Sequence, residues 1–408
     1  MLLSTLRRLI SDTAAPVMLW RAVIVGINFA VMLGLAAGLG LAVFGPLMVN
    51  WGMAMVGAAI IGCGGPLILL QGGDTRMRAV AIYVLGYPLA IGLFGLAILP
   101  LILPGIAWMT VLALAFAINL VFCGASLLRV IGSVQWSMAL RDAAPSVALG
   151  FAAMLQPDAI LSVTALILSA CGAVAVLIFL RRVHRRSTLG KRPSTPRLPW
   201  SMWGASVLGM ALAQVDIIVG GAVLSDTQIG LYAFLRRIAN LVALPVSVAT
   251  WVTATPIARA YTAGDRTALI RSSRQASRIA LIPGIVLLIT ASATFPILGL
   301  WQTVDPLTYI ALLACSGAQL IFAATFTVAT MCDHAHFAAM SRLVSLLVYL
   351  GLIAAIPSLG PSLNALAYLC AVMFGATGLW AVIRRELHID TAATALLARR
   401  EGMAWTQS

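Results

Sequence analysis

Residues 200–266 read WSMWGASVLGMALAQVDIIVGGAVLSDTQIGLYAFLRRIANLVALPVSVATWVTATPIARAYTAGDR. They form two apolar arms, 200–224 and 229–256, joined by a short polar turn. At a rise of about 1.5 Å per residue, each arm is long enough to cross a hydrocarbon core about 30 Å thick. Polar side chains nevertheless interrupt both arms: Gln214, Asp216, Arg236, Arg237 and Asn240.

The charges of the two arms are predicted to lie at a similar depth. Asp216 is about 14 Å before the turn, and Arg236 and Arg237 are about 12 to 14 Å after it. Both positions fall near the middle of the membrane. Because an ionisable side chain is costly there, each is a functional hypothesis by default.

The composition excludes an ordinary soluble domain. The 408 residues are 62% hydrophobic and 9% charged, with a mean hydropathy of +1.03. These values predict an all-α polytopic membrane protein. The net charge of +14 is explained by basic cytoplasmic loops, so no nucleic-acid partner is expected.

Apolar runs of about 20 residues, bounded by charge, Pro or Gly, predict twelve spans. Their predicted limits are 17–40, 46–70, 79–103, 106–128, 138–155, 158–180, 200–224, 229–258, 278–301, 307–331, 338–357 and 362–384. With a cytoplasmic N terminus, the odd-numbered loops hold no Lys or Arg, only Asp158, Asp226 and Asp305. The positive-inside rule therefore places both termini in the cytoplasm.

A basic linker divides the chain into two sets of six spans. We predict an N-terminal lobe over 1–182, a linker over 183–199, a C-terminal lobe over 200–387 and a cytoplasmic tail over 388–408. A weak repeat supports the division: Pro66 near the end of the second span is followed by Gly73-Asp74, as Pro256 near the end of the eighth is followed by Gly264-Asp265. Six spans per half give both halves one orientation, which predicts a pseudo-two-fold axis along the membrane normal.

Several side chains suggest a cofactor or metal site but are better explained as structural. Gly190-Lys191-Arg192 lacks the glycine spacing and the Ser or Thr of a phosphate loop, so no nucleotide cofactor is expected. His334 and His336 have no further ligands in sight, so no metal site is predicted. The six cysteines are scattered singly and are interpreted as packing thiols.

Other polar residues, and several prolines, lie inside the predicted spans. Asn28, Asn119 and Gln319 either line a polar lumen or bond across helices. Four prolines can interrupt the backbone hydrogen bonds of the predicted helices: Pro88, Pro245, Pro256 and Pro283.

One pattern crosses the seventh and eighth spans: Asp216-(x)13-Gly230-Leu231-Tyr232-(x)3-Arg236, then Pro256-Ile257-Ala258-Arg259 and Gly264-Asp265. It resembles the corresponding helices of lipid-linked oligosaccharide flippases of the O-antigen type. These belong to the multidrug/oligosaccharidyl-lipid/polysaccharide exporter superfamily. In the first half only Phe44-Gly45 resembles the corresponding turn, and the acidic residues usual before it are absent.

The resemblance implies a transporter of the bacterial inner membrane and not an enzyme. It implies two lobes around a cationic cavity and passage of an undecaprenyl-diphosphate-linked oligosaccharide to the periplasmic leaflet by alternating access, with ion coupling. Membrane lipids and a polysaccharide polymerase machinery are the further expected partners. The head-group candidates are Arg236, Arg237 and Asn240, with Arg21 near the inner mouth, and the coupling candidates are Asp216 and Gln214.

The sequence leaves alternatives open at two levels. A drug exporter of the same architecture would want an acidic or apolar cavity, and a membrane enzyme acting on polyprenyl-linked sugars would want clustered carboxylates or long outer loops. Asp216 and its arginine form either a structural pair or a switch in which the incoming pyrophosphate competes for the guanidinium.

Overall fold

The structure is a computed structural model that describes residues 14–71, 80–104, 106–184, 200–297, 305–356 and 360–396. Its α-helices, in chain order, are α1 Ala14–Leu39, α2 Leu41–Ile61, α3 Gly65–Gln71, α4 Tyr87–Ile102, α5 Trp108–Val130, α6 Val134–Met138, α7 Ala144–Leu155, α8 Ile160–His184, α9 Trp200–Val223, α10 Asp226–Val242, α11 Leu244–Thr262, α12 Arg266–Ile297, α13 Pro306–Ile321, α14 Ala323–Met331, α15 Ala335–Ala355 and α16 Pro361–Leu387.

Ten segments of the described residues are long and apolar enough to cross a membrane unbroken. Two further spans are broken: α10 and α11 meet at 43°, and α13 and α14 meet at 48°. If each bent pair is one span, the total is twelve, as predicted. The predicted class, an all-α polytopic membrane protein, is confirmed.

The second predicted span differs from its predicted limits at both ends. Its helix α2 begins at Leu41, five residues earlier than predicted, and ends at Ile61 instead of continuing to residue 70. The end follows from the backbone, because Cys63 and Gly64 have φ values of 46° and 69°. Those values lie in the left-handed region, which no right-handed helix can pass through.

Turns of π-helix interrupt two other spans, at Ile82–Gly86 and Ala139–Ala143. Each ends two residues before a buried proline, Pro88 or Pro145. A proline offers no N–H and its ring crowds the carbonyl four residues earlier, and a widened turn relieves that crowding. By contrast, α11 and α12 continue through their internal prolines.

The chain divides into two compact units, residues 1–234 and 235–408, with the boundary inside α10. In unit 1, α5 packs along α8, and α2 packs against both α5 and α9. Most of the predicted linker, residues 185–199, lies outside the described residues, as do residues 72–79 of the first repeat copy. The predicted division into two six-helix lobes stays a prediction.

In unit 2, α11 packs along α12, and α16 packs along α13 and α15. After α16 the chain reverses at His388, whose φ of 51° is a left-handed helix end. The following residues, 388–396, form what we call the C-terminal hook. It returns to the unit by burying Ile389 and Ala392 among apolar side chains, and Arg266 donates to the backbone oxygen of His388 at 2.9 Å.

Candidate substrate-binding and coupling residues

Unit 1 holds a fully buried carboxylate. Asp216 on α9 has no exposed surface, and the hydroxyl of Tyr232 on α10 donates to its Oδ2 at 2.9 Å. Tyr232 is itself only 1% exposed. A hydrogen bond to an ionised acceptor is about twice as strong as a neutral one, which partly offsets the cost of taking the carboxylate out of water.

The position of α10 beside this carboxylate is fixed by contact between backbones. A Cβ atom on Gly230 would overlap the backbone oxygen of Leu41, and one on Gly45 would overlap that of Asp226. Only glycines allow α2 and α10 to approach this closely. Gln214, predicted to act with Asp216, lies against α2, where its Oε1 would be 3.3 Å from a Cβ on Gly52.

Unit 2 holds a buried guanidinium. Arg236 on α10 is 3% exposed, and its Cζ lies 4.3 Å from the ring centroid of Tyr368 on α16. Its Nη1 donates to Oδ1 of Asn240, one helical turn later, at 3.4 Å. Two of the predicted head-group residues, Arg236 and Asn240, are thus in contact. Arg237 is partly buried beside them.

A chain of contacts behind Arg236 was missed by sequence reasoning. The ring of Tyr368 meets that of Tyr349 edge-on, with centroids 6.1 Å apart and planes at 81°. Tyr349 donates to Oδ1 of Asn364 at 2.5 Å. All three side chains are buried. The available signal was the pair Asn364 and Tyr368, four residues apart and therefore on one face of α16.

Arg21, the weakest head-group candidate, belongs to unit 1. Its Nη1 lies 3.5 Å from Oδ2 of Asp142 in the π-helical turn, and both side chains keep some exposure, 16% and 26%. Asn28 donates to the backbone oxygen of Asp142 at 2.6 Å. Arg21 is therefore half of an ion pair, and Asn28 bonds across helices.

Asn119 also has a structural position. It is 1% exposed, its Oδ1 lies 3.7 Å from the Cys123 thiol, and it fills the space left by Gly62. All six cysteines are free thiols.

The predicted site residues are shared between the units. Asp216, Gln214 and Arg21 lie in unit 1, whereas Arg236, Arg237 and Asn240 lie in unit 2. Within each unit the buried charge has a tyrosine partner, Tyr232 or Tyr368. The predicted pairing of Asp216 with an arginine would involve both units and stays a prediction.

No protein-family model and no curated protein matches the sequence. Solved structures do match its fold. The MATE transporter VcmN of Vibrio cholerae in the bent form is 17% identical, over 94% of this chain and 98% of that one, with a TM-score of 0.58. The MATE multidrug transporter DinF-BH, solved in complex with a ligand, is 14% identical, over 93% and 95%, with a TM-score of 0.62.

A lipid flippase has the same fold. The lipid II flippase MurJ in an inward closed conformation is 15% identical, over 92% of this chain and 88% of that one, with a TM-score of 0.58. Identities of this size show the fold alone. The predicted superfamily and the narrower resemblance to O-antigen flippases both stay predictions.

Proposed function

We propose that this chain is a flippase that moves an undecaprenyl-diphosphate-linked oligosaccharide from the cytoplasmic to the periplasmic leaflet of a bacterial inner membrane, for surface polysaccharide assembly. It works by alternating access with ion coupling and needs no covalent chemistry. The observation that carries the proposal is Arg236, a guanidinium buried inside a span and stacked on Tyr368.

The chemistry of the head group fits this arginine. A diphosphate carries negative charge into a medium of low dielectric, where a fixed guanidinium stabilises it far more than in water. Arginine presents planar N–H groups that match phosphate oxygens two at a time. Because the Tyr368 ring lies against the guanidinium, it limits the movement of the N–H groups.

The charges that are partly or fully buried within the described spans support an anionic substrate. Two carboxylates, Asp142 and Asp216, are accompanied by the arginines Arg21, Arg129, Arg236, Arg237 and Arg342. Asp142 is paired with Arg21, and Asp216 accepts from Tyr232. A site for cationic compounds would have the opposite balance.

A drug exporter of the same architecture is the second candidate. The fold likeness to DinF-BH, a multidrug transporter, favours it as much as the likeness to MurJ favours a flippase. The buried Asp216 is the residue on which a cationic substrate would depend. The two candidates therefore assign the substrate to different residues, Arg236 or Asp216.

Binding to the full chain in nanodiscs separates the candidates. We expect undecaprenyl diphosphate to bind, and Arg236→Gln to weaken that binding about 10- to 100-fold, the range for losing hydrogen bonds to a charged group. Arg274→Gln is the matched control, since it removes the same charge from an exposed position on α12. Unchanged diphosphate binding in Arg236→Gln, together with binding of the cationic dye ethidium that Asp216→Asn abolishes, would establish the drug exporter instead.

Translocation is then measured in proteoliposomes. A fluorescent lipid-linked oligosaccharide is bleached from outside with dithionite, which does not cross the bilayer. We expect the full chain and Arg274→Gln to move it between leaflets and Arg236→Gln to leave it where it was. Equal rates for Arg236→Gln and the wild type would contradict the assignment of Arg236.

A further inference from the structure

We infer that Tyr368 is a positioning residue that sets the affinity of Arg236 for the diphosphate head group, by holding the guanidinium plane against its ring. This inference rests on the proposed function. Its first support is geometric: Cζ of Arg236 lies 4.3 Å above the ring, well within the distance at which a cation is attracted to an aromatic face.

Burial makes this contact strong. Arg236 is 3% exposed and Tyr368 is 2% exposed, so the two groups meet away from water. The attraction between a cation and a ring is weakest at hydrated surfaces and strongest when both partners are desolvated. A guanidinium held against a buried ring loses freedom to move, so its donors stay in place for the phosphate oxygens.

The ring itself is held from behind. Tyr349 meets it edge-on and donates to Asn364, which lies one turn from Tyr368 on the same helix. Farther along, Ser341 donates to the backbone oxygen of Gly375 at 2.8 Å. These two bonds fix α15 to α16 at two levels, so the surface that Arg236 rests on is rigid.

The test changes the electrons of the ring while preserving its shape. Residue 368 of the full chain is replaced by phenylalanine and by its 4-fluoro, 3,5-difluoro and 3,4,5-trifluoro derivatives, through suppression of a stop codon. Each fluorine withdraws negative charge from the ring face. We expect the Kd for undecaprenyl diphosphate in nanodiscs to rise stepwise, by about tenfold across the series.

Two controls distinguish positioning from packing. The same series at Tyr309, a buried tyrosine of unit 2 whose hydroxyl donates to Ala291, should leave the Kd unchanged. In an Arg236→Gln background the series at residue 368 should have no effect, because no cation lies over the ring. Thermal unfolding of every variant, monitored by size-exclusion chromatography, shows which proteins are folded.

The outcomes separate the inference from the proposed function. Suppose that Arg236→Gln weakens binding, but the Kd is the same for every variant at residue 368, whether unchanged or raised. Tyr368 then acts only in packing, and the inference is wrong. If Arg236→Gln binds undecaprenyl diphosphate like the wild type, the assignment of Arg236 that carries the proposed function is wrong. A graded series that requires Arg236 supports both.

Discussion

The two broken spans bend by similar angles for different reasons. In residues 226–262 the break falls at Ala243, two residues before Pro245. In residues 306–331 it falls at Phe322, and no proline occurs within the span after its first residue. The first bend has a local cause in the sequence, whereas the second has to be held by the rest of the unit.

The C-terminal hook supplies what holds the second bend. Phe322 packs against Ala392, and the hydroxyls of Thr325 and Thr391 are 2.9 Å apart. Trp380 on α16 donates to Asp390 of the hook, also at 2.9 Å. Because the hook contacts both the α13–α14 break and α16, it ties the two together. Similar bend angles thus arise from a proline in one span and from tertiary contacts in the other.

The largest expected effect comes from adding a methyl group to the helix before each break, α10 or α13. Gly230→Ala should destabilise the protein by at least about 3 kcal/mol, because its Cβ would overlap backbone that cannot move aside. Gly317→Ala, in the helix before the second break, meets open space and should be neutral or gain up to about 1 kcal/mol of helix propensity. Thermal unfolding in detergent measures both. Equal stabilities would show that the first arm is not fixed by its contact with α2.

Releasing the hook is expected to have the next largest effect. The double variant Asp390→Ala/Thr391→Val removes the bonds to Trp380 and Thr325, at a cost of about 2 kcal/mol. Spin labels at Ile310 and Met331 should move apart by about 3 Å as the arms straighten. Thr377→Val on α16, whose hydroxyl bonds within its own helix, is the control. An unchanged distance in the double variant would mean that the hook does not hold the bend.

The same contrast explains what the sequence could predict of the site. Asp216 and Arg236 were predictable because a charge is conspicuous in an apolar run. The contacts of Tyr232 and Tyr368 were not, since an aromatic residue in such a run gives no sign of which helix it faces. The break at Pro245 was predictable from one residue, but the break at Phe322 depends on residues 390–392, some seventy positions away.

Replacing the proline should change only the first bend. Pro245→Ala restores a backbone N–H and removes the crowding of the ring, so α10 and α11 should straighten. The distance between labels at Thr227 and Tyr261 should increase by about 3 to 4 Å, with a stability change within about 1 kcal/mol. The distance between labels at Ile310 and Met331 should stay constant. If it changes as well, the two bends are coupled and do not have separate causes.

The two spans also differ in how their first helices are capped. Ser225 and Gln228 cap α10 reciprocally: the amide of Gln228 donates to the Ser225 hydroxyl at 3.4 Å, and that of Ser225 donates to the Gln228 side chain at 3.1 Å. Asp305 caps α13 by accepting from the amide of Leu307 at 3.0 Å, and it also accepts from Ser362 on α16. One cap is local and neutral, whereas the other is charged and joins two helices.

The smallest expected effect is a pH dependence that only the charged cap can show. The hydrogen bond from Ser362, and then that from Leu307, lowers the pKa of Asp305 from its ordinary value of about 3.9. A lowered pKa means that the folded state favours the carboxylate. The stabilisation is therefore complete above about pH 5 and is lost as the pH falls through about 4 toward the lowered pKa.

Asp305→Asn keeps an acceptor for Leu307 but cannot titrate, so it should flatten that part of the profile. Its cost at neutral pH should be about 1 kcal/mol or less, because the site is exposed. Ser225→Ala should lower stability by a similar amount at every pH. Thermal unfolding between pH 3 and pH 7 distinguishes them, and a parallel loss in both variants would show that the charge of Asp305 contributes nothing to the joint between α13 and α16.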